Sequence, residues 1–182
     1  MINVLIPMAG NAIKFTEQGY TFPKPLVEVK NKPMIEVVVD NLRPNGDHRF
    51  VFVCQKSHFE TYALDHLMKL IAPSHALIQT HGDTEGAACT TLLAKEFIDN
   101  DDELIIANAD QFLDIDINNF IADARAKQSD GHIITFVSSH PKWSFVRLDE
   151  QGLVAEVAEK KPISHNATAG VYYFKKGKYF VD

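Results

Sequence analysis

Positive charge is in short supply in this sequence. Its 182 residues carry 18 Lys and Arg against 24 Asp and Glu, a formal charge of −6. Neutralising nucleic-acid phosphates over a broad face takes clustered Lys and Arg, so no nucleic-acid partner is expected, although one local basic pocket is compatible with this balance. Cysteine is scarcer still. Cys54 and Cys89 fall in apolar stretches without metal-ligand or redox spacing, so both are expected as buried, reduced thiols in a cytoplasmic protein. Long hydrophobic runs are missing as well. The opening "MINVLIPMAG" is too short to span a bilayer and has no basic leader, so neither a membrane nor export is expected.

What is present is ordinary globular material, 46% hydrophobic and 23% charged, without internal repeats, low-complexity tracts or linkers. A chain of this length can form one substantial domain over 1–182, burying roughly 70% of the surface its unfolded form exposes. Short β-branched runs alternate with stretches of helical period, a pattern that predicts a parallel sheet covered by helices. Strands are expected at 3–9, 49–54, 75–80 and 104–110. Helices are expected at 33–42, from His58 to Ala72, at 85–98 and at about 117–128. The second half turns β-rich, with four short runs and an Asp149-Glu150-Gln151-Gly152 hairpin turn, so the sheet should become mixed. The expected fold class is α/β, a three-layer α/β/α sandwich around a Rossmann-like, mostly parallel sheet. Ligands of such sheets sit at the carboxyl ends of the strands, here after Ala9, Thr80 and Asp110.

Several stretches near those ends carry chemistry. "LIPMAG" runs a strand into a tight turn at Ala9-Gly10, as a phosphate-wrapping loop would. In "TFPKPLVEV" two prolines stiffen the arm that holds Lys24, which either meets a phosphate or belongs to a rigid loop. Asp110 is placed either to ligate Mg²⁺, a hard cation that takes oxygen donors and phosphate bridges, or to cap the following turn. Gly86-Ala87-Ala88 opens a helix with small side chains, leaving room for a flat ligand or allowing close packing. Glu159 and Lys160 in "AEKKP" offer an acceptor and a donor to a phosphorylated sugar, or form a solvated strand end.

The order of these stretches, closed by "ATAGVYYF", resembles the sugar nucleotidyltransferases, or nucleoside-diphosphate-sugar pyrophosphorylases, of the bacterial surface-polysaccharide type. The resemblance runs along essentially the whole chain. It implies the nucleotide-diphospho-sugar transferase fold and a reaction in which an NTP and a sugar 1-phosphate give an NDP-sugar and pyrophosphate, with Mg²⁺ as cofactor. It further implies that Ala9 and Gly10 meet the nucleotide, that Gly86 and Ala87 contact base and ribose, and that Gln79 or His81 reads the base. Lys14, Lys24 and Asp110 become the catalytic set, Asp110 also the metal ligand. Ser144, Glu159, Lys160 and Gly170 become the sugar-phosphate side. Two related readings stay open: a catalytically degenerate nucleotide-binding domain of the same fold, and a glycosyltransferase that takes an NDP-sugar donor. A homo-oligomer is compatible with the sequence.

The first loop departs from the family pattern of a second glycine, a small hydroxyl and an arginine, which stand here as Ala12, Ile13 and Lys14. Lys14 keeps the charge but loses the planar fork that grips phosphate at two points. The family also supplies a second metal-binding aspartate beyond the closing strand. Asp182 is reached first, so the chain is expected to lack its C-terminal part and half of the metal site.

Overall fold

The computed structural model describes residues 1–10, 19 and 22–182. Lys14 and its neighbours Ala12 and Ile13 lie outside the described residues.

Four strands form the parallel part of the sheet: β1 (Ile2–Pro7), β4 (His48–Gln55), β5 (Ala76–Thr80) and β6 (Glu103–Ala107), in the order β5-β4-β1-β6. β10 (Asn166–Phe174) continues the sheet antiparallel to β6. Its first residues pair with β8 (Phe145–Leu148), which forms a hairpin with β9 (Val154–Ala158), while β7 (Gly131–Val137) lines its other side. The expected mixed sheet is therefore present, with eight strands among the described residues.

The inner parallel strands β1, β4 and β6 read as nearly continuous apolar runs because they are covered on both faces, while β5 at the end of the order is only partly buried. One face buries Val4, Ile6, Phe50, Phe52 and Ile105 under α1 (Met34–Asn41), α3 (Leu64–Ile71) and α6 (Ile117–Ala126). The alternate residues Leu5, Val51, Val53, Leu104 and Ile106 pack on the other face against α5 (Lys95–Ile98) and α7 (Lys178–Val181). Fully burying each such side chain contributes about 1.5–3 kcal/mol relative to exposure. This two-sided covering gives the three layers.

Several elements differ from the sequence expectation. The helix expected from His58 to Ala72 is two: α2 (Lys56–Tyr62) ends at Ala63, which is left-handed at φ 49°, and α3 starts afresh. The break resets the helical phase, so Leu64, Met68 and Ile71 face the core at an i, i+4, i+7 spacing while Leu70 is 81% exposed. The helix expected over 85–98 is likewise split into α4 (Ala87–Leu92) and α5. Cys54 is buried as expected, but Cys89 on α4 is exposed. The sixth strand stops at Ala107, so Asp110 sits in the loop after it and not at the strand end. A small hairpin of β2 (Glu28–Val29) and β3 (Lys32–Pro33) was not expected; Lys30 and Asn31 both take positive φ, as a two-residue hairpin turn requires.

In the second half, Asp149 organises the β8–β9 turn as read from the sequence. Its carboxylate accepts from the backbone N–H of Gln151 and Leu153, both at 2.9 Å, and Gly152 supplies the positive φ of 79°.

Candidate active site

The carboxyl ends of β1, β4, β5 and β6 open onto one edge of the sheet, and most of the residues singled out in the sequence gather there. Ala9 follows β1 and is buried, held by Met8, whose N–H donates to Val53 O at 2.8 Å. Gly10 is exposed next to it. From the last position of β4, Gln55 Nε2 donates to the carbonyl of Ala9 at 2.8 Å and to Asp83 Oδ1 at 3.1 Å. One amide thus ties the turn after β1 to the loop after β5. Nothing in the spacing of "RFVFVCQ" announces Gln55, because a strand residue reveals its partners only once the strands are in register.

Gln79, on β5 beside Cys54 of β4, and His81, just past that strand, are both exposed. Gly86 precedes α4 with an extended backbone, and a side chain built on it would meet nothing within 4 Å. The space in front of Gly86 and Ala87 is therefore open, while α4 itself packs on β1. Thr90 donates to the Gly86 carbonyl at 3.1 Å and shares a hydrogen bond with the Thr84 hydroxyl, which fixes this turn from behind.

Lys24 lies in a single 3₁₀ turn, Lys24–Leu26, entered from Pro23 at ψ 150°. Its ammonium forms an ion pair with the Asp110 carboxylate. Two residues 86 positions apart in sequence thus meet past the end of β6. Both are partly exposed, at 38% and 30% of their side chains, so the pair remains within reach of solvent and ligand.

On the far side, β10 runs on past the end of β6. Gly170 sits in a bulge of that strand, between Thr168 and Tyr172, where β10 carries two extra residues relative to β7. Its φ is +69°, and a Cβ there would collide with the side-chain amide of Asn108, so only glycine fits. The Ser144 carbonyl accepts from Thr168 N–H at 2.8 Å, placing Ser144 beside the same stretch of β10. Glu159 and Lys160 follow β9 and pair with each other at 2.9 Å, both largely exposed. Each holds the other charged: the ammonium lowers the Glu159 pKa and the carboxylate raises that of Lys160. Ser144 and Glu159 adjoin the same rung of the hairpin, since their neighbours Phe145 and Ala158 are paired.

The match to known families settles the wider identity. The family model for nucleotidyl transferases matches residues 5–180. The chain belongs to the nucleotidyl transferase family. Among relatives, the bifunctional protein GlmU of Methanocaldococcus jannaschii is 23% identical over 96% of this chain and 40% of its own length. The catalytic subunit beta of mannose-1-phosphate guanylyltransferase from Drosophila pseudoobscura pseudoobscura is 26% identical over 93% of this chain and 47% of its own. The chain thus spans less than half the length of these curated relatives.

Solved structures agree on the nucleotidyl transferase fold. The nucleoside-diphosphate-sugar pyrophosphorylase from Vibrio cholerae RC9 superposes with a TM-score of 0.76, at 23% identity, covering 98% of this chain and 75% of that one. A UDP-glucose pyrophosphorylase complexed with UDP-glucose gives 0.78 at 18% identity, covering all of this chain and 78% of that one. Among the described residues, no helix is long and apolar enough to cross a membrane.

Proposed function

We propose that this nucleotidyl transferase joins an NTP to a sugar 1-phosphate, releasing pyrophosphate and an NDP-sugar for surface polysaccharide or lipopolysaccharide precursors, in the cytoplasm. The observation that carries the reading is the meeting of Lys24 and Asp110 at the carboxyl edge of a nucleotidyl transferase sheet, with open space before Gly86 on one side and the Gly170 bulge on the other. The names of related proteins favour sugar-phosphate substrates: one is a mannose-1-phosphate guanylyltransferase and another was solved with UDP-glucose.

The chemistry needs positioning and charge neutralisation more than a covalent nucleophile. Ala9, Gly10, Gly86 and Ala87 would bed the nucleotide, with Gln79 or His81 against the base. Ser144, Glu159, Lys160 and Gly170 would line the sugar-phosphate side. Lys24, with Lys14 from the first loop, would face the phosphates. Among the described residues no group of three or more His, Cys, Asp and Glu converges on a metal. Mg²⁺ is commonly held by one or two carboxylates plus substrate phosphates, and Asp110, a partly exposed carboxylate at this edge of the sheet, fits as its protein ligand. When bound, Mg²⁺ would supply neutralisation of the charge developing on the phosphate oxygens.

Calorimetric titration with ATP, UTP, CTP, GTP and dTTP, with and without Mg²⁺, tests the proposal. Micromolar, Mg²⁺-dependent binding of one nucleotide is expected, followed by pyrophosphate release on adding its sugar 1-phosphate; binding of none overturns it. The altered loop at Ala12, Ile13 and Lys14 favours a second reading, a domain that binds nucleotide without turnover. Tight binding with no pyrophosphate from any sugar 1-phosphate would select that one.

A further inference from the structure

Asp110 stands on a loop, yet the reading above needs its carboxylate held in one place. The residue beside it, Gln111, closes that loop. Its Nε2 donates across 59 residues of sequence to the carbonyl of Gly170, at 3.2 Å. Its Oε1 accepts from Asn108 Nδ2, also at 3.2 Å. The same Gly170 carbonyl accepts from the backbone N–H of Asn108 at 3.2 Å. Both ends of the segment 108–111 are therefore fastened to one oxygen and to each other, with Ala109 buried between them.

The anchor oxygen belongs to the bulge of β10 and stands at the rung next to Ala107 and Val171. The paired residues of β6 and β10 end at Ala107 and Val171, and the next residue of β10, Gly170 at positive φ, offers its carbonyl to the loop that continues β6. The glycine is required both by its own backbone and by the amide of Asn108 packed on it.

From this geometry we infer that Gln111 is a positioning residue: through Asn108 and Gly170 it fixes the loop that presents Asp110 to its cation. The consequence for metal binding rests on the proposed function; the clamp itself rests on the hydrogen bonds alone. Two substitutions separate clamp from bulk. Gln111→Leu keeps much of the volume and loses every bond. Gln111→Glu keeps the acceptor for Asn108 but cannot, when ionised, donate to Gly170, and its carboxylate faces the carbonyl oxygen.

The test reads two quantities on the intact protein and both variants. The first is the ¹⁵N order parameter of the Ala109 and Asp110 amides without ligand, expected near 0.85 in the parent and below about 0.6 in both variants, with β6 and α6 unchanged. The second is Mn²⁺ affinity, read by the electron paramagnetic resonance of free Mn²⁺, expected to weaken about tenfold or more in both variants. The urea midpoint of Gln111→Glu should stay near that of the parent. Rigid 109–110 amides in both variants would overturn the inference, as would unchanged Mn²⁺ affinity in variants of a parent that binds the ion. A parent that binds no Mn²⁺ but loosens at Asp110 on substitution would uphold the clamp and sink the metal role of Asp110, so the two failures are distinguishable.

Discussion

The Lys24 ammonium, carried by the stiff Pro23-Lys24-Pro25 arm, rests on the Asp110 carboxylate. A metal ion drawn to Asp110 would contend with that ammonium for the same oxygens. Exchanging Lys24 for a bound cation would then release the lysine toward a phosphate.

Opposite effects of one substitution follow from this competition. Lys24→Met should tighten the binding of Mn²⁺ alone severalfold while slowing turnover by on the order of 10²-fold or more, because a charge that stabilises the phosphate oxygens is lost. Stability should change by less than about 1 kcal/mol, as expected for a partly exposed pair. Asp110→Asn should lose both Mn²⁺ binding and turnover. Electron paramagnetic resonance of Mn²⁺ and a pyrophosphate-release assay check the pair; weaker Mn²⁺ binding in Lys24→Met would refute the competition.

The bulge in β10 gives a stability prediction. Gly170→Ala places a methyl at φ +69° against the Asn108 amide, so it incurs both the left-handed backbone cost and a steric one. A loss of roughly 2–3 kcal/mol is expected, seen as a lower urea midpoint. Gly86→Ala, in extended backbone with open space before it, should leave the midpoint unchanged and weaken nucleotide binding instead.

Which of these relationships could be read in the sequence follows from their range. The parallel core was legible because β1, β4 and β6 are buried on both faces and so spell nearly continuous apolar runs, broken in β1 by the buried Asn3. Lys24 and Asp110 were legible as candidates because proline stiffening and placement after a buried strand are local signals. Their contact was not, since it depends on how the arm before α1 folds across the sheet. Gln111 and Gln55 were invisible for the same reason: each acts through hydrogen bonds to residues 59 and 46 positions away. The break at Ala63 escaped because alanine, the best helix former, sits there in a left-handed conformation that its own propensity disfavours. Tertiary packing of Leu64 and Met68 decides that position.

At the opposite edge of the sheet, acid should be felt through Glu103. Its carboxylate accepts from Arg125 Nε at 2.8 Å and Nη2 at 2.5 Å, and from the Tyr173 hydroxyl at 2.6 Å. Arg125 first, and then Tyr173, hold the Glu103 pKa below its ordinary value, against the opposing effect of burial. A carboxyl with a depressed folded value contributes stability that is fully present above its unfolded pKa of about 4.3 and is lost as the pH falls through the lower folded value. Glu103→Gln should therefore cost roughly 1–3 kcal/mol at neutral pH and progressively less on acidification below about pH 4. Urea midpoints taken at falling pH should show the two proteins converging; parallel curves would remove Glu103 from the acid response.

The two thiols should separate cleanly in reactivity. Cys54 is fully buried in β4, and burial pushes its pKa up to about 11, so it offers neither access nor thiolate at neutral pH. Cys89 is exposed on α4, three residues past Gly86. A disulfide reagent such as dithionitrobenzoate should modify one thiol in the folded protein and a second only on unfolding in denaturant. Because Cys89 lies on the helix that the proposed nucleotide would abut, a bound Mg²⁺ nucleotide should slow its modification severalfold while leaving Cys54 untouched. Mass spectrometry of the labelled peptides assigns the sites. Labelling of Cys54 in the folded state would contradict the packing of β4, and a Cys89 rate indifferent to a nucleotide shown to bind would move that nucleotide away from α4.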